Sequence, residues 1–426
     1  MSLLLTNARL IDPEAGTDVL GSLVIENGRI SQIILDGESL PKGVEAIDCA
    51  GKCLAPGIID IGVKVCEPGE RHKESFRTAG EAAAAGGVTT MVVRPDTEPA
   101  VDSPETLQFA ARRAADVSKV NVLAMAALTK DRAGKEMAEI GFLMDAGAVA
   151  FTDCDFVNRN NKIFGRCLSY AKMMGAVVIG HAQEPVMSQG ACATSGLFAT
   201  KLGLPAVSVM AERIQLERDM ALVEMTGVMY HVDQLSAAVS LPVLERAKAA
   251  GLPVTAGVSI HHLTLNELDI DGYRTFFKVK PPLRPEDDRV AMADAVASGM
   301  IDIISSMHTP QDEESKRLPF EEAASGAVGL ETLLPAAMSL VHAGFMDLAT
   351  LWKALSYNPA QLLGLDAGRL AAGAPADLVL FDPDKPFVMD RFKLKSRCKN
   401  TPFDERRMEG AVLRTFVGGE EIYARD

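Results

Sequence analysis

Eight short apolar runs recur through the middle of the chain, at 58–65, 88–93, 121–126, 147–152, 176–180, 228–233, 253–258 and 301–305. Runs of this length, bounded by Gly, Pro and polar clusters, read as buried strands. The intervals between them carry Ala-, Glu- or Lys-rich sequence of helical character, and more follows the eighth run. The clearest helices are 134–147, 242–251 and 285–299, the last opening on Pro285 with early acids and stopping at Gly299. Eight strands alternating with helices over about 250–300 residues predict a TIM-type (β/α)8 barrel. A doubly wound open sheet is the alternative, but it would more often show G-x-G-x-x-G after its first strand, and none is there.

The ends of the chain differ from its middle. Residues 3–11 and 22–34 read as strands, with Asn27-Gly28 as a hairpin turn, because both residues tolerate positive φ. Residues 46–54 add to them. Strand-like, Gly-punctuated sequence returns at 376–383, 410–419 and 420–424. The simplest arrangement is one small β-sandwich domain built from both termini, 1–52 plus 365–426, flanking a barrel at 53–364.

Composition excludes several functions. A net charge of −14 without a Lys/Arg-rich run argues against nucleic-acid binding. No apolar run reaches the roughly 18 residues of a membrane span, and the N-terminus lacks signal-peptide features. The seven cysteines include no C-x-x-C pair, so reduced thiols and a cytoplasmic location are expected.

Barrel chemistry sits at the C-terminal ends of the strands. Those ends carry Gly62, Lys64 and Cys66; Arg94 and Asp96; Asp153 and Cys154; His181 and Glu184; Asp233 and Gln234; His261 and His262; and Met307 and His308. Four of the seven histidines, His181, His261, His262 and His308, fall just past predicted strands, and His231 lies in one.

The motifs PGIIDIGVKV (56–65), EPGE (67–70) and AAAAGGVTT (82–90) resemble the opening of dihydroorotases, members of the amidohydrolase superfamily. The resemblance runs nearly the whole chain through FTD (151–153), GHAQEP (180–185), YHVDQLS (230–236), IHHL (260–263), KVKPPLR (278–284), SSMHTPQDEESK (305–316), GAVGLET (326–332), NPA (358–360), GAPADLVLFDP (373–383) and KNTPF (399–403). It implies metal-ligand positions at Gly62, Lys64, Asp153, His181 and Gln234. It places the ligand that is also general base at Met307, substrate-carboxylate contacts at Cys66 and Asp96, and a further substrate contact at His262. Lys280 stands where the family has Asn. Only Asp153 and His181 keep ligand chemistry.

A catalytic zinc needs about three protein ligands and a water that a base can deprotonate. Glycine has no side chain, an ammonium repels a cation, glutamine is a weak zinc ligand and a thioether is no base. The substrate side is also altered: Cys66 carries no charge and Asp96 repels a carboxylate, while Arg94 and Lys280 either compensate in part or, as the ordinary expectation has it, form surface salt bridges. Lys64 either points inward, where its ammonium would neutralise Asp153, or snorkels to solvent. The resemblance therefore implies an inactive dihydroorotase-like protein without a cofactor. By the same resemblance it would be an oligomeric structural or regulatory partner of aspartate transcarbamoylase in pyrimidine synthesis. A second reading is an active dihydroorotase or other cyclic-amide hydrolase with a non-standard, relocated site drawn from Cys66, Cys154, Asp153, His181 and His308, with zinc if it binds metal. A third is a metal-free small-molecule binder.

Overall fold

The computed structural model describes residues 2–425. Strands from both ends of the chain join one sheet. Its spatial order is Glu420–Ala424, Ala411–Val417, Leu378–Asp382, Cys53–Pro56, Ser2–Asp12, Thr17–Glu26 and Arg29–Leu35, with Glu45–Asp48 also pairing Ser2–Asp12. The seam between the two ends is antiparallel, with Leu54 opposite Leu380. Asn27 and Gly28 turn the second hairpin at φ 51° and 77°. Leu5, Leu23, Leu54, Leu378 and Phe416 form an apolar core of this sheet.

Trp352 ties the sheet to the barrel. It is fully buried, donates Nε1–H to the Pro56 carbonyl at 2.8 Å and stacks on Phe381 with centroids 4.6 Å apart. Gly57, between sheet and barrel, has no room for a side chain: a Cβ would lie 2.1 Å from Thr89 Oγ1.

The barrel follows the predicted runs. Ile58–Val63, Val88–Val93 and Asn121–Ala124 form one parallel group; Val177–His181, Met229–Asp233, Val254–Ser259 and Ile303–Ser305 form another. The fourth run is shorter than its sequence suggests. Phe151 alone bridges Ala126 and Val178, between Gly147 at φ 104° and Cys154 at φ 57°, whose backbones turn out of extended geometry. Lys64 N–H donates to His308 O at 2.9 Å and closes the circle.

Helix starts obey local chemistry. Ser75 with Thr78 and Ser103 with Thr106 form capping boxes at Phe76–Ala85 and Pro104–Val117. The helix expected from 285 begins as read, Glu286–Ala297. The one expected over 134–147 is only Ile140–Asp145. Its first half is drawn away: Gly134 takes φ 67°, Lys130 N–H donates to Glu136 O at 2.9 Å, and Met137 bridges Thr129. No helix among the described residues is long and apolar enough to cross a membrane.

Candidate functional site at the barrel mouth

A cavity of about 180 Å³ opens at the C-terminal ends of the strands, lined among others by Lys64, Asp96, Gln234, His262, Lys280 and Met307. Six of the ten positions singled out in the sequence line this cavity, whereas Gly62, Cys66, Asp153 and His181 are not among its lining residues.

The positions implied for metal do not make a cradle. Gly62 sits at φ 95°, and a Cβ there would meet Met307 Sδ at 2.9 Å and Cε at 3.4 Å. The thioether therefore fills the space a side chain at position 62 would need. Asp153 is spent on its own loop: one oxygen accepts from Leu128 N at 3.1 Å and Thr129 N at 3.0 Å, the other from Thr129 Oγ1 at 2.7 Å. Gln234 turns its amide nitrogen to Asp233 at 3.2 Å. His181 is buried with neither ring nitrogen partnered among the described residues. Burial pulls its pKa down to about 3, so it stays neutral. Among the described residues no three His, Cys, Asp or Glu side chains converge as metal ligands. This donor set does not fit a catalytic zinc.

Lys64 points inward, as one of its two alternatives had it, but its partner is Asp96 at 3.0 Å and not Asp153. Asp153 has no unmet demand, whereas Asp96 reaches into the mouth from the neighbouring strand end. Burial alone would lower the Lys64 pKa, but the Asp96 carboxylate outweighs it and the net shift is upward. Arg94 is no surface salt bridge. Its side chain is 9 % exposed and it reaches Asp96 at 3.0 Å and Asp155 at 3.7 Å. Lys280 is the half-exposed member, 3.0 Å from Asp155. Charges thus alternate Lys64, Asp96, Arg94, Asp155, Lys280 across the mouth. Burial would raise the Asp155 pKa, but Arg94 and Lys280 hold it well below the usual carboxylate range.

Of the relocated set, Asp153, Cys154 and His181 line one small cavity behind the mouth. Burial pushes the Cys66 thiol up to about 12 and Cys154 higher still, which disfavours thiolate. His308 is structural: Nδ1 accepts Gly329 N–H at 3.2 Å, which leaves the ring proton on Nε2, 3.4 Å from the buried Glu74. His262 donates Nε2–H to Pro281 O at 3.0 Å and His261 Nδ1 lies 3.2 Å from Ser259 Oγ. His231 is not among the residues lining the cavity, and its Nδ1 lies 2.8 Å from Thr255 Oγ1.

Sequence reasoning missed Arg132 and Asp155, both in the cavity lining. The Lys-Asp-Arg triplet at 130–132, just past the third run, was the available signal. It also missed what Arg284 of the PPLR segment does. That guanidinium, 2 % exposed, donates to Ser236 Oγ at 3.0 Å and Thr194 Oγ1 at 3.1 Å, and lies 3.4 Å from the buried Glu212. Glu212 in turn accepts from Ala237 N at 3.0 Å and Ser240 Oγ at 2.7 Å. Three non-glycine residues at strand ends, Cys154, Gln234 and Met307, hold φ of 57°, 54° and 45°.

A parallel barrel closed on a β sheet from both termini, with its strand-end residues turned into one mouth, defines an amidohydrolase-superfamily architecture. Solved structures agree on the fold: L-hydantoinase (dihydropyrimidinase) from Arthrobacter aurescens at TM-score 0.89, 23 % identity, 99 % of this chain and 96 % of that one. D-hydantoinase (dihydropyrimidinase) from Thermus sp. gives 0.85, 24 % identity, 99 % and 95 %. A family model described as Dihydro-orotase-like matches residues 51–240. The chain is 40 % identical over 424 residues to the dihydroorotase of Wolbachia sp. subsp. Drosophila simulans, covering 99 % of this chain and 95 % of that one. It is 36 % identical over 425 residues to the dihydroorotase of Pelobacter propionicus, covering all of both. The chain belongs to the dihydroorotase family.

Proposed function

We propose that this protein serves pyrimidine biosynthesis as a cytoplasmic, non-catalytic member of the dihydroorotase family, assembled with aspartate transcarbamoylase. The observation that carries the reading is the mouth itself. Met307 thioether occupies the space above Gly62, and a Lys64–Asp96 ion pair stands where the family binds metal. Neither arrangement deprotonates a water. The family-implied role that survives loss of chemistry is assembly.

The test is metal content and turnover together. Protein purified without chelator and dialysed should retain less than one zinc per several chains and show no interconversion of carbamoyl aspartate and dihydroorotate. Lys64→His alone and Met307→Asp alone should both stay inactive, because groups that act as a unit do not restore activity singly. One retained zinc per chain, or turnover abolished by His181→Ala, overturns the reading. One observation favours the alternative of a metal-dependent dihydroorotase or other cyclic-amide hydrolase: among the described residues neither ring nitrogen of buried His181 has a hydrogen-bond partner, which leaves one free to ligate. The same zinc measurement decides between them.

A further inference from the structure

A second cavity, about 710 Å³, is lined from helix Leu333–His342, the segment 387–395 and the last two strands. It shares no lining residue with the mouth. Its size is that of a small-molecule site, roughly 300–1,000 Å³. Glu331 is fixed in its wall: Oε1 accepts from Lys395 N–H at 2.7 Å and Ser396 N–H at 3.0 Å. Among the described residues Oε2 has no hydrogen-bond partner, and no cation stands within ion-pair distance of it. Burial pushes this carboxyl up to about 7. Phe387 and Phe392 line the same cavity, and Phe392 is 73 % exposed. Of the three cations there, Lys393 is matched by Asp390 at 3.8 Å. Lys395 and Arg425 face no carboxylate of the described residues within ion-pair distance. Arg425 donates Nε–H to Val412 O at 2.9 Å and lies over the Phe387 ring, 5.2 Å from its centroid, so both terminal nitrogens stay available.

These groups make three different demands: an acceptor without a donor, aromatic rings open to a flat partner, and two cations without an anion. We infer that this cavity binds a nucleotide whose base carries an exocyclic amine, which donates to Glu331 Oε2 while the base stacks on a phenyl ring and Lys395 and Arg425 hold the phosphate. Carboxylates accept from such amines, as they do from cytosine N4. Stacking on an aromatic side chain is the common way to hold a base. Guanidinium and ammonium groups bind phosphate oxygens through charge-assisted hydrogen bonds. An oxo base fits less well, because the N–H of uracil is flanked by two carbonyl oxygens that a carboxylate repels. Size agrees: about 150 Å³ holds benzene, six heavy atoms, so this cavity takes roughly 28, and a nucleoside monophosphate has about 21–23. The site is independent of whether the mouth holds a metal.

Titration calorimetry on the full chain tests it with cytidine and adenosine monophosphates, each against its oxo counterpart, uridine or inosine monophosphate. One amino nucleotide should bind at one per chain, and its oxo counterpart at least about tenfold more weakly. Because the amine favours the ionised acid, binding near pH 7 should release protons, read from the heats in two buffers of different ionisation enthalpy. Glu331→Gln keeps an oxygen for the two backbone N–H groups and turns a donor to the cavity. It should therefore erase the amino preference, an effect that a merely structural role would not produce. Lys395→Gln, an exposed change, should weaken binding at least about fivefold and lessen its salt dependence. Lys280→Gln, on the rim of the mouth, should bind as wild type. Absence of heat with all four nucleotides at millimolar concentration, or equal binding within both pairs, would overturn the inference. So would an amino preference that survives in folded Glu331→Gln, or binding lost with Lys280→Gln. Should Glu331→Gln not fold, unaltered binding by Lys395→Gln overturns it. Zinc content and turnover bear on the proposed function and nucleotide heats on this one, so the two failures are separable.

Discussion

Gly62 and Met307 are coupled by space. Alanine at 62 would place a Cβ 2.9 Å from the Met307 sulfur and would hold a β-carbon at φ 95°, outside the range side chains adopt comfortably. Gly62→Ala should destabilise the protein by about 1–3 kcal/mol. Adding Met307→Ala should recover the steric part but not the backbone part. Denaturant melts of the two single variants and the double give the coupling; strict additivity would mean the sulfur moves aside freely. His231 offers a pH prediction at the same scale. Burial, with Lys248 a lesser cause, depresses its pKa to about 3 from an unfolded value near 6.5. The unfolded chain therefore binds the extra proton first, and stability is lost as pH falls from about 6.5 toward 3. His231→Gln removes that term, so the gap between wild type and variant should shift in the variant's favour by about 1.4 kcal/mol per pH unit below 6.5. Melts at pH 7 and pH 5 check it; an unchanged gap would mean the histidine protonates while folded.

At the scale of elements, the strands were legible because burial on both faces leaves continuous apolar runs, and Asn27-Gly28 because its backbone demand is local. The 134–147 helix was misread because Gly134 and the Thr129–Met137 bridge override propensity. The site was legible as a set of positions but not as a set of partners. Whether Lys64 meets Asp96 or Asp153 depends on Thr129, 24 residues from Asp153, saturating that carboxylate, and no spacing rule reveals it. Arg284 shows the same gap: a motif recognisable in sequence, whose purpose is to lock helix Met210–Thr226 to the loop after Met229–Asp233 through Glu212. Glu212→Ala should cost about 3–5 kcal/mol, since it strands a buried guanidinium. Glu212→Gln, which keeps acceptor oxygen, should cost less. Chemical denaturation measures both; equal small effects would show that water replaces the carboxylate.

For the whole molecule, under the proposed non-catalytic reading, a chain without chemistry and with no other role should also lose its scaffold. Yet the mouth loops hold, with Glu212–Arg284 and the Lys64–Asp96–Arg94–Asp155–Lys280 ladder in place. The loops after the fifth and seventh barrel strands also present large apolar side chains to solvent: Leu197 is 88 % exposed, Val186 63 % and Leu268 59 %. Single exposed leucines are ordinary on monomers, but these lie on loops that share the mouth end of the barrel. The assembly proposal places aspartate transcarbamoylase against that end, where a specific complex should bury at least about 1,000 Å². Co-expression of the two proteins should then give one species by size-exclusion chromatography with light scattering, and binding should raise the transcarbamoylase melting temperature by mass action. Leu197→Asp with Leu268→Asp, both surface changes with little effect on folding, should split that species into its components. Two separate peaks for the unaltered proteins at micromolar concentration, with transcarbamoylase activity unchanged on mixing, would leave assembly without support. The retained mouth would then have to be explained by a small-molecule ligand alone. A stable complex indifferent to the double substitution would keep the partner and move the contact to another face of the barrel.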